Sequence, residues 1–124
     1  YVDEWNNKRR EIAEFYNQKI APLGFQTPIE ATWGKHVYHL YIIRCKQRDE
    51  LQAYLKENSI ASEVYYPLPP HLAAPCQKLG YKKGDYPEAE KASQETLALP
   101  LYPELSGDLQ NQVIETIIRF SKNL

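Results

Sequence analysis

The stretch Ile60 to Leu72, I-A-S-E-V-Y-Y-P-L-P-P-H-L, restricts the fold of this chain more than any other. Residues 60–66 have strand character, with β-branched and aromatic side chains among them. Pro67, Pro69 and Pro70 then fix φ and remove backbone donors. A sheet must therefore end near Pro67, and the chain must continue as a stiff, extended loop that delivers His71. Two tyrosines at a strand end, followed by a rigid loop closing on a histidine, can present polar groups to a cleft. The same residues also suit a plain edge strand with aromatic packing and a proline stop.

Size and charge narrow the alternatives. The 124 residues suit one compact domain, read here as 1–124. A hydrophobic fraction of 43% and a charged fraction of 25% are ordinary for a globular chain. With a net charge of −1 and no basic block, electrostatics give no argument for nucleic acid. No apolar run approaches the roughly 20 residues that span a bilayer. Tyr1-Val2-Asp3-Glu4-Trp5 has neither the charged nor the apolar region of a signal peptide, and the chain has no methionine. The expectation is a fragment or processed product. Cys45 and Cys76 allow one disulfide, but a reduced, cytoplasmic state is the simpler expectation. Ten tyrosines favour a semi-polar surface or cleft over a purely aliphatic core.

Periodicity predicts an amphipathic helix over 2–20, with Val2, Trp5, Ile12, Phe15, Tyr16 and Ile20 inward, ended by Pro22 and Gly24. Residues 25–34 read as a loop. His36 to Cys45 is the strongest strand signal, with Val37, His39, Tyr41 and Ile43 on one face and Tyr38, Leu40, Ile42 and Arg44 on the other. A short helix follows over 47–58, with Leu51, Tyr54 and Leu55 inward and Asn58 or Ser59 at its end. Ile60 to Tyr66 makes the second strand. A helical turn around Pro75 to Leu79 and turns at Gly80 and Gly84 precede a third helix, which starts at Pro87 with Asp85 as its cap. Leu97 to Leu101 reads as an edge strand stopped by Pro100 and Pro103. Ser106 caps a last helix over 108–120, with Leu109, Val113, Ile117 and Phe120 on one stripe. The expected fold is an α/β (α+β) two-layer sandwich: a small three-stranded, mostly antiparallel sheet with helices packed on it.

Most simple chemistries lack support. His36 and His39 form H-x-x-H, but residues three apart on a strand point to opposite faces and cannot share a metal, so no metal is expected. His71 and Cys76 could form a thiol–imidazole pair, yet no third group orients the base. Phosphate-loop and dinucleotide signatures are missing from the sequence. His39 reads either as a satisfied, buried imidazole or as a polar group aimed at a shared cleft. Tyr65 and Tyr66 face opposite ways on a strand, so one at most would enter such a cleft directly.

Several segments, taken in order, carry a resemblance: R-R-E-I-A-E-F-Y-N (9–17), H-V-Y-H-L-Y-I-I-R (36–44), R-D-E-L-Q-A-Y-L (48–55), V-Y-Y-P-L-P-P-H-L (64–72), L-G-Y-K-K-G-D-Y-P-E-A-E (79–90) and L-A-L-P-L-Y-P-E-L (97–105). Together they resemble the C-terminal small domain of the DegT/DnrJ/StrS-type sugar aminotransferases, which depend on pyridoxal phosphate and have the fold-type I architecture. The resemblance implies a homodimeric enzyme that moves an amino group, usually from glutamate, to a nucleotide-linked keto-sugar. It also implies that the cofactor and its Schiff-base lysine belong to a large domain, since no lysine here sits in a matching context. The chain alone is then expected to bind no cofactor, hold no catalytic residue and be inactive.

By the same resemblance, the candidate substrate-binding residues are Tyr65, Tyr66, His39 and His71. Tyr65 matches a rim position near the substrate that holds histidine or tyrosine, and tyrosine there is similar to members acting on 3-keto sugars. His39 matches the histidine of the H-x-Y-H-L-Y strand. His71 matches the histidine closing the proline loop, where Pro70 replaces the more usual leucine. Tyr65 could hydrogen-bond a sugar hydroxyl or phosphate oxygen, with a neutral His39 or His71 orienting it. The rival reading is a non-catalytic binding or regulatory module that kept the small-domain fold. Either way, surfaces shaped for a larger assembly should leave an exposed apolar patch and a tendency to self-associate.

Overall fold

The computed structural model describes residues 1–123. Its first helix, α1 (Val2–Ile20), buries Ile12, Ala13, Tyr16 and Ile20 on one stripe. Its first turns project instead, leaving Val2 and Trp5 exposed. Asp3 and Glu4 sit in the first turn and Lys19 in the last, each at the end where the helix dipole favours its charge. After a 3₁₀ turn at Ala21–Leu23, Gly24 takes φ +90°, a conformation glycine adopts without strain, and its N–H bonds back to Ala21.

Among the described residues two strands are present rather than three. β1 (Tyr41–Arg44) pairs antiparallel with β2 (Thr96–Leu99), Tyr41 opposite Leu99 and Arg44 opposite Thr96. The expected strand over 36–45 is thus shortened to its second half. The cause is local: Tyr38 adopts φ +47°, and the His36 Nδ1 accepts the Tyr38 N–H at 2.8 Å, so the chain turns before it can extend. The expected strand over 60–66 is reduced to one bridge, in which Glu63 exchanges backbone bonds with Ala98 at 3.2 and 2.8 Å. Ser59 at φ +61° bends its entry and the prolines close its exit. A matching single bridge joins Gln26 to Arg44 on the far side of β1. β2 therefore lies between β1 and the 60–66 segment, which makes it an inner strand rather than the expected edge, and Leu97, Ala98 and Leu99 are all buried.

Helices complete the core. α2 (Arg48–Glu57) buries Leu51 and Leu55, with Tyr54 half-buried and the Asn58 side chain donating to the Tyr54 carbonyl at its end. α3 (Ala74–Gln77) is one short turn that contains Cys76, close to the helical turn expected around Pro75 to Leu79. α4 (Pro87–Glu95) begins at Pro87 as expected, but its cap is Tyr86. Asp85 instead accepts the Lys82 N–H. α5 (Gly107–Ser121) is capped by the Ser106 hydroxyl and buries Val113, Ile114, Ile117 and Phe120, while Leu109 faces out. Tyr16, Tyr41, Ile43, Leu97 and Ile117 meet at the centre with no accessible surface. The two tyrosines keep their hydroxyls satisfied there, Tyr16 on the Pro100 carbonyl and Tyr41 on Asn17. Burial pushes both phenols well above their ordinary range.

Both cysteines are free thiols, and burial raises that of Cys45. No described helix is long and apolar enough to cross a membrane, and the described residues gather no cluster of three or more His, Cys, Asp or Glu fit to hold a metal ion.

Candidate functional site

The prolines after Tyr66 lead to the most site-like part of the surface. The chain bends at Pro67 and Leu68 rather than running extended as expected, Pro69 is extended, and Pro70–Leu72 close into a 3₁₀ turn. This loop stands opposite one face of α4. Between them is an open cleft of about 230 Å³, lined by Tyr65, Tyr66, Leu68, Pro69 and Pro70 on one side and Ala89, Ala92, Ser93 and Thr96 on the other. Its volume falls below the roughly 300–1,000 Å³ of a complete small-molecule pocket. The walls are mostly apolar, with hydroxyls from tyrosine, serine and threonine. That mixture suits a ring with apolar faces and hydroxyl edges.

Tyr65 is 42% exposed and Tyr66 70% exposed, their rings edge to face at 5.8 Å across a cis peptide bond. Both line the cleft, so the strand-based expectation that only one could enter it does not hold once the strand is gone. His71 goes the other way. It is 7% exposed, and its Nε2 lies 3.0 Å from Glu90 Oε1, with the Tyr86 ring edge-on at 4.9 Å. His39 is exposed in the bend before β1 and does not line the cleft. Neither histidine hydrogen-bonds Tyr65 among the described residues. The structure thus brings Tyr65 and Tyr66 together, puts His71 behind them, and leaves His39 apart.

Three residues absent from the sequence-based set support the walls. The Arg48 guanidinium, buried at the start of α2, donates to the carbonyls of Ser93 and Thr96 at 3.1 Å each, holding the end of α4 against β2. Asp49 accepts its Nε. Glu90 receives both His71 and the Gly84 N–H, the latter at 2.7 Å. The Gly84 N–H, with His71 after it, holds the Glu90 carboxyl below the usual carboxylate range. Only the adjacency of Arg48 and Asp49 in sequence hinted at any of this.

The cleft does not fit pyridoxal phosphate: no lining residue has an amine to bond its aldehyde or a cation to hold its phosphate.

Comparison with known proteins places the chain. The model of the DegT/DnrJ/EryC1/StrS aminotransferase family matches residues 1–118. Over 99% of its length the chain is 45% identical to a protein of Geobacillus stearothermophilus named pleiotropic regulatory protein, of which it covers 34%. Over 97% of its length it is 32% identical to a dTDP-3-amino-3,6-dideoxy-alpha-D-galactopyranose transaminase of Aneurinibacillus thermoaerophilus, of which it covers 32%. Its fold superposes on the crystal structure of S. venezuelae DesV in complex with a ketimine intermediate, with a TM-score of 0.94 and 30% identity, over 98% of this chain and 33% of that one. The chain spans about a third of the length of the relatives it matches. With the family's pattern running through nearly all of it, the chain belongs to the DegT/DnrJ/EryC1/StrS aminotransferase family.

Proposed function

We propose that this chain is the C-terminal small domain of a sugar aminotransferase, and that it supplies one wall of the site that receives a nucleotide-linked keto-sugar. The observation that carries the reading is the open cleft of Tyr65 and Tyr66, too small for a whole pocket, in a chain that covers a third of its relatives. Tyr65 and Tyr66 would meet the sugar ring and its hydroxyls, with Ser93 and Thr96 on the opposite wall. His71 supports the loop from behind rather than touching the sugar, and His39, exposed before β1, stands apart from the cleft.

The 3-amino product in the name of the A. thermoaerophilus relative agrees with the resemblance of Tyr65 to members acting on 3-keto sugars. The amino donor in this reading is glutamate. Pyridoxal phosphate would supply the electron sink from the large domain, so the chain alone is inactive. The parent acts as a cytoplasmic homodimer. Exposed apolar side chains at Tyr1, Trp5, Ile29, Trp33 and Val37 are then surfaces the rest of that assembly covers, and the isolated chain self-associates through them.

The test uses the full-length protein with its cofactor. Glutamate should change the cofactor's absorbance, and a dTDP-linked 3-keto sugar should reverse it. A spectrum that glutamate changes and no nucleotide sugar reverses would sink the substrate assignment. A second reading, a regulatory module that kept this fold, draws support from the name of the G. stearothermophilus relative. It predicts tight binding of a nucleotide sugar by the chain in the absence of any cofactor, which equilibrium dialysis would detect.

A further inference from the structure

The two walls of the Tyr65–Tyr66 cleft belong to different segments, and the contact between them is specific. Pro70, at the end of one wall, is followed by His71; Ala89, at the start of the other, is followed by Glu90. Among the described residues, the side-chain hydrogen bond that joins the proline loop to α4 is His71 to Glu90. The same Glu90 oxygen, Oε1, accepts the Gly84 N–H, so the loop over 78–86 is tied to the same point. Tyr86 places its ring edge against His71, and Tyr81 packs on Tyr86 at 5.6 Å. The glutamate sits in the early turns of α4, where backbone N–H groups favour a carboxylate. His71 is 7% exposed, and the side chains of the pair are 7% and 12% exposed, so water competes little for this contact. Two irregular segments and a helix thus converge on one carboxylate oxygen.

We propose that Glu90 is a positioning residue for the acceptor sugar: by holding His71 and Gly84 it sets the separation of the cleft walls and the placement of Tyr65 and Tyr66. The inference rests on reading this cleft as the sugar-facing wall. Glu90 does not line the cleft and touches no substrate in this account; it acts through the proline loop. Its loss should therefore weaken acceptor binding without altering the amino-donor half of the reaction.

The experiment uses the full-length enzyme with Glu90→Ala and Glu90→Gln. Glutamine keeps an oxygen at the Oε1 position that can accept from both His71 and Gly84, whereas alanine keeps nothing. The KM for the keto-sugar should rise about tenfold in Glu90→Ala, the size expected when one or two hydrogen bonds to a substrate are misplaced. The rate of the glutamate half-reaction should stay at the wild-type value, and Glu90→Gln should recover most of the loss. Amide exchange over 80–86 should quicken in Glu90→Ala and not in Glu90→Gln. If Glu90→Ala does not fold, His71→Leu removes the partner nitrogen from the other side and should raise the same KM.

An unchanged KM in Glu90→Ala would overturn the proposal, as would equal losses in both half-reactions. A wild-type enzyme inert toward every nucleotide-linked keto-sugar would instead defeat the substrate reading. Exchange over 80–86 would then still decide whether Glu90 holds the walls together.

Discussion

Two long connecting segments in this chain are each anchored through a glutamate, and the settings of the two glutamates differ. Residues 26–40 are tied to α1 by Glu30, which takes two hydrogen bonds from the Arg10 guanidinium at 2.8 and 3.0 Å and one from the His36 N–H at 3.0 Å, and by Arg10 itself, which donates to the His36 carbonyl at 2.8 Å. Residues 65–86 are tied to α4 by Glu90, through His71 and Gly84. The first clamp has better geometry on paper, being bidentate and ionic, but its side chains are about 30% exposed. The second has fewer bonds and sits under a histidine and two tyrosines. Partly exposed ion pairs contribute little and are screened by salt, whereas the more shielded His71–Glu90 contact leaves a group without a partner when it breaks, even though the Gly84 bond beside it is exposed. Bond count is the wrong guide here. The clamp with fewer bonds is the one that shapes a cleft.

The harshest way to break the comparison is to remove what the segments share. Ile43 in β1 is fully buried in the core that both segments cover. Ile43→Ala should cost about 2–5 kcal/mol in urea denaturation and loosen both segments equally. Loosening of one segment alone would mean that they are not anchored to a common core. A milder cut separates them. Glu90→Ala should speed amide exchange over 65–86 and leave 26–40 unchanged, and Glu30→Ala should do the reverse; cross-effects would merge the two clamps into one unit.

Acid should release both. Arg10 first, then the His36 N–H, hold the Glu30 carboxyl below its usual range, as Gly84 and His71 do for Glu90. The folded chain therefore binds these protons more weakly than the unfolded chain. The stability they contribute is complete above the unfolded carboxyl value of about 4.3, and it is lost as pH falls through the depressed folded values. Glu30→Gln with Glu90→Gln should flatten the acid limb of a stability–pH curve. A limb as steep as in the wild type would assign acid lability to other carboxylates. The smallest effect is expected for Arg10→Gln, a slight loss of stability that shrinks further as salt is added, read as Tm at low and high ionic strength. A large, salt-independent loss there would erase the contrast between the clamps.

The same contrast explains what the sequence could and could not tell. Helices α1, α2, α4 and α5 were legible because their apolar residues recur at helical spacing and because Pro87 and Ser106 are unambiguous start signals. The strands were less so. Alternation over 36–45 carries no trace of the Tyr38 turn, which depends on a histidine ring capping a backbone N–H. Residues 60–66 do lie beside β2, but nothing in a strand's own pattern says how far its pairing runs. The proline stop after Tyr66 pointed to a cleft at the end of this segment, but a strand reading allowed only one of Tyr65 and Tyr66 to face it, and both do. Glu90 and Arg48 were not legible. Their partners lie 19 residues away for Glu90 and 45 and 48 for Arg48, distances at which only the fold assigns contacts.

The central claim, that Tyr65 belongs to the sugar-binding wall, is tested most directly by Tyr65→Phe in the full-length enzyme. This change removes one hydroxyl and keeps the ring. Both half-reactions should be followed separately. A lost neutral hydrogen bond is worth about 0.5–1.5 kcal/mol, so the KM for the keto-sugar should rise about three- to tenfold while the glutamate half-reaction keeps its rate. A variant with wild-type KM and full turnover on the sugar would contradict the account.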